Sequence, residues 1–460
     1  MTHSASSTVY NGEVVKSDLA VTEATRTGLT DAVKVLEGVP NKEKDWQPES
    51  YYKVINLVDP NLYPLVFGKT KVLSIGDKEL SLQNCVAESG RGSVIPVPDE
   101  YGMLDRDRPW SLDSQWLPCE VDIGYGKARI VSYINNLHPH YHANLYQHIE
   151  EVITASLPLW NRTLAPLLDA HYDPRVRLCP RLETFWKDKS KQTPDKYEAM
   201  IAELNRYYTP VQPFSLSQRF QRLQVVVKME TIELTPNKPK FLGSKWRLDG
   251  ILNEHIVATA VYDYASENIT PSNISFRQRW KNQQLETEME EFLLDDAFNP
   301  NWYSTYRINT HAPQIQWVGQ VEMRQGRLLS YPNILQTKVE PFSLANFKAP
   351  GHRKILTLHL VDPTIRILST AHVPCQQGRW RREELVKGVV EPGHRQRAKV
   401  GLHRLPAELL DQVWDDLEMV EMTEEETKKH RLTMMEERAS LMKKHATAFE
   451  GARSSIRPAL

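Results

Sequence analysis

A chain of 460 residues with 57 Lys and Arg against 58 Asp and Glu carries a formal net charge of −1. That balance gives no electrostatic grip on nucleic acid or an anionic membrane, both of which need clustered cations, and points to a small-molecule partner instead. No apolar stretch approaches the ~20 residues that cross a bilayer, Met1 to Tyr10 is polar, and Cys85, Cys119, Cys179 and Cys375 form no Cys-x-x-Cys pair. A membrane span, a secretory leader, a disulfide framework and a zinc knuckle are therefore all unexpected, and the cytosol is the expected compartment.

Residues 1–20 are Ser/Thr-rich and are expected to lack order. Asp18 to Leu36 places apolar residues at helical spacing. Tyr51 to Phe67 contains Asp59-Pro60 and Tyr63-Pro64, which impose extended and turn geometry. A Gly, Pro and Asp-rich connection, Gly90 to Pro109, follows. His142 to Ser156 reads as a helix, with Leu145, Ile149, Val152 and Ile153 along one face. His138, His140, His142 and His148 cluster at its start, but no carboxylate stands in phase with them. A structural or surface role is expected for all four, and no metal is assigned.

Asp195 to Tyr208 is expected to form a surface helix, and Gln221 to Leu234 a strand centred on Val225-Val226-Val227. Leu285 to Leu294 reads as an acidic helix, and Lys354 to Val361 as a further strand. From Ala407 the pattern turns helical, over Ala407 to Met422 and then Glu424 to about Glu450. The second of these has few aliphatics and reads as a solvated helix. The resulting division is a disordered 1–20, a helical or irregular 21–110, a core at 111–380 with helical insertions, and a helical extension at 381–460.

The chemistry centres on Lys245 to Ala260. The stretch reads as a strand, a tight turn at Gly250, and a second strand whose apolar run from Ile256 to Tyr262 fits burial on both faces. Arg247 and Asp249 point to one side of an extended backbone and Leu248 to the other, so two opposite charges line the same space.

Here the chain resembles the fungal DUF4246 family. Its pattern is Trp-His-x-Glu/Asp-Gly followed by Asn-Glu, which stands here as Trp246-Arg247-Leu248-Asp249-Gly250 and Asn253-Glu254. A second family phrase, Pro-Asn-x-x-Gln-His-Arg/Lys-Val, stands here as Pro332-Asn333-Ile334-Leu335-Gln336-Thr337-Lys338-Val339. Pro350-Gly351-His352-Arg353 and Val361-Asp362-Pro363 also match, and the similarity runs over about 55–380. The resemblance implies an iron(II)/2-oxoglutarate oxygenase-like, distorted double-stranded β-helix of the α+β class, elaborated by N-terminal and C-terminal helices. It also implies that both iron-ligand histidine positions are replaced, by Arg247 and Thr337, with Asp249 retained.

Guanidinium has no lone pair to give a metal and a neutral hydroxyl is a poor ligand, so no metal and no cofactor are expected at this site. His255 and His352 are the nearby histidines that an oxygenase with atypical ligands would use. The expected activity is instead a metal-independent cyclase or pericyclase, of Diels–Alder type, acting on a hydrophobic terpenoid or polyketide. Arg247, Asp249 and Thr337 are its expected catalytic residues. Trp246, Asn253, Tyr264, Asn333, Lys338, Arg353 and Lys228 are its expected substrate contacts. The alternatives are an oxygenase that keeps iron with unusual ligands and a non-catalytic binding or scaffold protein. Whether the chain pairs with a second copy is left open.

Overall fold

The computed structural model describes residues 6–9, 13–74, 76–98, 110–168, 213–279, 313, 315–387, 409 and 422–451. The expected helices at 195–208 and 285–294 lie outside these residues, as does nearly all of the one at 407–422.

Two antiparallel sheets face each other. The strands that build them are β1 (Ser6–Val9), β2 (Val14–Ser17), β3 (Val54–Val58), β4 (Cys119–Asp122), β5 (Arg129–Ile130) and β6 (Arg222–Leu234). They continue with β7 (Ile256–Glu267), β8 (Ser272–Arg279), β9 (Ile315–Met323), β10 (Leu328–Pro332), β11 (Gln336–Val339) and β12 (Gly351–Val361). The larger sheet runs β1-β2-β10-β7-β12-β6-β4-β5, with β3 also on β6, and the smaller runs β9-β8-β11.

Alternation along the long strands sorts side chains into two cores. Val225, Val227 and Met229 of β6 and Leu356, Leu358 and Leu360 of β12 face helices α1 (Glu23–Glu37) and α2 (Ala143–Leu164). The opposite phase, Ile232 and Ile355 among others, meets Ile274, Phe276 and Val321 of the smaller sheet. The space between the sheets is thus reached only by every second residue of each strand.

Three expectations change. The N-terminus is not uniformly without order, because Val14 and Val15 are fully buried and β2 pairs with β10. Helix α2 continues past Ser156 to Leu164 through Pro158, which cannot donate to the carbonyl four residues back. Burial of Leu159, Trp160 and Leu164, and the 2.7 Å bond between the hydroxyls of Thr163 and Ser330, hold the extra turns to the sheet.

The C-terminal helix, α4 (Glu424–Gly451), is docked rather than solvated. It buries Thr427, Arg431, Met434, Arg438 and Phe449, a helical stripe. Two of those five are arginines, so a search for an apolar face passes over the stripe. Arg431 reaches Asp45 at 2.7 Å, and Arg438 stands 4.3 Å over Trp116 and pairs with the fully buried Glu254.

Candidate functional site

Just before β7 the chain crosses the end of the smaller sheet. Arg247 and Thr337 lie opposite each other and exchange both backbone bonds, at 3.0 and 2.8 Å, so residue 247 extends the smaller sheet beside β11. The following turn is fixed by Asn333. Its side chain accepts from the Asp249 amide at 2.9 Å and donates to the carbonyls of Asp249 and Ile256 at 2.8 and 3.1 Å. Gly250 takes φ +69°, in the left-handed region that favours glycine, and turns the backbone into β7. The expected strand, turn and strand is therefore a single bridging residue, a short 3₁₀ turn at Leu252–Glu254, and one long strand.

This geometry brings together Arg247, Asp249, Thr337 and Asn333. Asp249 is buried and its Oδ2 accepts from Thr259 Oγ1 at 2.8 Å and from the Tyr331 hydroxyl at 3.0 Å. Thr259 spends its one proton on Asp249, so its oxygen accepts from His359 Nδ1 at 3.0 Å. Tyr331, Thr259 and His359 are direct neighbours across β10, β7 and β12 and form one polar row on the inner face.

Burial alone would raise the Asp249 carboxyl. His359, Arg247 and the two hydroxyl donors outweigh it and hold the group below the usual carboxylate range. Burial pushes His359 down to about 4, against the opposing pull of Asp249, so the imidazole is neutral at pH 7. Its ring is stacked on Trp116 with centroids 5.6 Å apart.

Arg247 is the open member. Its side chain is 49% exposed while that of Asp249 is 7% exposed, and Nε stands 3.8 Å from Asp249 Oδ1, too far for a hydrogen bond. Partial desolvation opposes its charge, but Asp249 and Glu230 more than compensate and keep the guanidinium's pKa raised. Arg247 is therefore turned toward the interior at its mouth. Trp246 points the other way and carries Arg277 at 4.7 Å, which Phe449 of α4 covers at 5.4 Å.

Deeper between the sheets lie Lys228 and Glu230, joined at 2.5 Å and 19% and 18% exposed. Both side chains are therefore partly reached by solvent. Desolvation opposes the Glu230 charge, but Lys228, Arg247 and Arg353 hold its pKa below the ordinary value.

Other expected contacts lie elsewhere. Tyr264 is fully buried in the core under α1 and α2, because its phase on β7 is opposite to that of Thr259. Asn253 binds both backbone groups of Ser111, at 2.7 and 3.0 Å. Lys338 follows Thr337 on β11, so alternation turns it to the other face, where it pairs with Glu340 at 3.0 Å. Arg353 does reach the interior but is fully buried, donating to Asp263 at 2.8 Å and Ser272 at 2.7 Å.

Sequence reading missed His359, Tyr331, Thr259 and Glu230. The signal was available for His359: in a strand it shares the phase of Arg353, whereas His352 takes the opposite phase and sits among Lys354, Glu267 and Glu37.

The donor set does not fit an iron centre of the two-imidazole, one-carboxylate kind. Residues 247 and 337 offer a permanent cation and a hydroxyl, and one Asp249 oxygen is committed to two internal donors. An open cleft lined by Glu79, Asp122, Tyr125, Arg222 and Arg366 lies elsewhere on the surface. Arg222 there is already paired with Glu79 at 2.6 Å, and the cleft offers no comparable buried reactive group.

The family model described as "Protein of unknown function (DUF4246)" matches residues 2–384. No curated protein matches the chain. Among solved structures, the Fe(II)/α-ketoglutarate-dependent dioxygenase TqaL is 9% identical, covering 74% of this chain and 90% of its own, with a TM-score of 0.27. A bsmA homolog from Methylobium petroleophilum PM1 is 10% identical, covering 74% and 85%, with a TM-score of 0.25. IDO from Bacillus thuringiensis is 10% identical, covering 36% of this chain and 55% of its own, with a TM-score of 0.19. Superpositions this loose fix no shared chemistry. Among the described residues no helix is long and apolar enough to cross a membrane.

Proposed function

The chain belongs to the DUF4246 family, and we propose that it is a small-molecule enzyme that works without iron at this position, a cyclase of Diels–Alder type acting on a hydrophobic terpenoid or polyketide. The strand order supports a distorted double-stranded β-helix as its scaffold. The sequence β10-β7-β12-β6 in one sheet faces β9-β8-β11 in the other, with residue 247 completing the smaller sheet beside β11.

The observation that carries the reading is the state of Arg247. A half-exposed guanidinium stands at the mouth of the inter-sheet space, and among the described residues no side-chain hydrogen bond holds it. Asp249 sets its position from 3.8 Å without consuming its donors. Such a group polarises the carbonyl of an enal or similar dienophile. One donor aimed at developing negative charge is worth ~3–4 kcal/mol, and holding diene and dienophile in one conformer contributes up to ~7–11 kcal/mol. Both terms suit a ring closure in which no atom is lost and no electron is transferred.

In this reading Thr337, directly opposite Arg247 across the bridge, is a second donor. Lys228 and Glu230 anchor an oxygen function deeper in the space, and Tyr264, Asn253 and Lys338 play no part in binding substrate.

The test uses hydrophobic trienals and polyenals bearing both reaction partners, incubated with the protein in excess chelator. Ring closure above the uncatalysed rate, reduced at least ~100-fold in Arg247→Met with circular dichroism unchanged, is the expected result. Dependence on added iron(II) and 2-oxoglutarate, or undiminished activity in Arg247→Met, sinks the proposal. The first of those outcomes restores an oxygenase, and the second leaves a protein whose work lies away from this site.

A further inference from the structure

Away from the inter-sheet space, His138, His140 and Glu384 each bring one donor atom to within 4.8 Å of the others. We infer that these three side chains form a site for a divalent transition ion of the zinc type, pinning helix α3 (Gly378–Lys387) to the segment that leads into α2. The carboxylate comes from a residue 244 positions after His140, which is why the histidine cluster looks incomplete along the chain.

The spacing of the two histidines from Glu384 suits a small ion. Glu384 Oε1 lies 2.6 Å from His140 Nδ1 and 3.5 Å from His138 Nε2. A tetrahedral ion with bonds of ~2.1 Å holds its donors ~3.4 Å apart. The His138 pair already stands at that separation, and the His140 pair reaches it by a movement of ~1 Å that a glutamate side chain supplies through its own rotations.

Both rings are held in place. His138 stacks on Tyr141, with centroids 4.0 Å apart and planes within 14°, and packs against Trp380 at 5.0 Å. His140 turns its other nitrogen, Nε2, to the carbonyl of Leu82 at 2.9 Å. An imidazole that donates one N–H to a backbone carbonyl has its remaining lone pair fixed for a metal, and this is how ligating histidines are usually oriented.

Two contacts oppose the assignment. His138 Nδ1 lies 3.3 and 3.4 Å from the backbone N–H groups of His140 and Tyr141, and ligation through Nε2 places a proton on Nδ1. The proton would then face two N–H donors, a repulsion weakened by separations longer than ordinary hydrogen bonds.

Two imidazoles and one carboxylate favour zinc or cobalt(II) over calcium or magnesium, which take oxygen donors. His138 is 3% exposed, Glu384 13% and His140 30%, so the ion would be open to water on the His140 side. His148 takes no part, because it pairs with Glu151 at 3.3 Å.

The full-length protein, free of affinity tags and stripped with chelator, is titrated with Zn(II) alone and with Co(II) alone. One equivalent is expected to bind, Co(II) giving a ligand-field spectrum of low coordination number. Affinity for Zn(II) falls at least ~100-fold in Glu384→Gln and in His140→Ala, whereas Arg247→Met binds as the unaltered protein does. No stoichiometric binding to the unaltered protein, or undiminished binding in both variants, overturns the site. Should either variant fail to fold, the unaltered protein decides the matter: Co(II) broadens the ring resonances of His138 and His140 if they ligate it, and broadening confined to other histidines overturns the assignment.

Discussion

Replacing Glu254 by Ala tests whether α4 is anchored through the region beside the site. Glu254 is fully buried and accepts from the amides of Trp116 at 2.9 Å and Ile251 at 2.7 Å, and from Arg438 at 3.2 and 2.5 Å. Alanine leaves two buried N–H groups without an acceptor, at ~1–3 kcal/mol each, and strips the partner from a buried cation, which in full costs ~3–5 kcal/mol. Arg438 lies at 9% exposure on a helix that can lift, so part of the second cost is relieved and the expected loss is ~4–6 kcal/mol. That is a large share of the ~5–15 kcal/mol that keeps a domain folded. The converse change, Arg438→Met, retains the stem volume over Trp116 and leaves Glu254 its two amide donors, so it costs only ~2–3 kcal/mol. Urea denaturation followed by circular dichroism reads both as midpoint shifts at constant slope, and amide exchange across 424–451 reports whether the helix detaches. An equal or reversed order of the two variants, or full amide protection of α4 in Glu254→Ala, would refute the reasoning.

Two further outcomes follow from the polar row and the bridge. His359 is held neutral down to about 4 in the folded protein, against the ordinary histidine value when unfolded. The unfolded chain therefore binds the proton first as pH falls below ~6.5, stability declines through that interval by up to ~3 kcal/mol, and it levels off below about 4. Thermal melts from pH 7 to pH 4 should show that slope flattened in His359→Asn, and an unchanged slope would remove His359 as its source. Because residues 247 and 337 are direct cross-strand partners with Asp249 two positions on, the double change Arg247→His with Thr337→His should bind iron(II) at least ~100-fold more tightly than the unaltered protein. Anaerobic titration with iron(II) and 2-oxoglutarate checks this, and the absence of any charge-transfer band in the double variant would show that the two positions do not converge.

The strands were legible where alternation was strong. Gln221 to Leu234 was expected as a strand and is observed from Arg222, and the Ile256 run forms the long β7. The C-terminal helix was legible as a helix but not as a docked one, because its contacts run through Arg431 and Arg438 and apolar periodicity carries no record of ion pairs. Of the site, Arg247, Asp249, Thr337 and Asn333 were found together by motif. Tyr264 and Lys338 were misplaced through strand phase, which turns on a single residue of register.

By itself the sequence determined the balanced charge, the family and the main strands, since these are properties of residue identity and local spacing. Only the tertiary structure decided which groups share a space. Strand pairing set His359 beside Thr259 and Tyr331 around Asp249. Packing of α3 carried Glu384 to His138 and His140, and α4 returned to cover Trp116 and Arg277. Contacts between residues tens or hundreds of positions apart depend on register and on which faces meet, and neither is written in the spacing of any one segment.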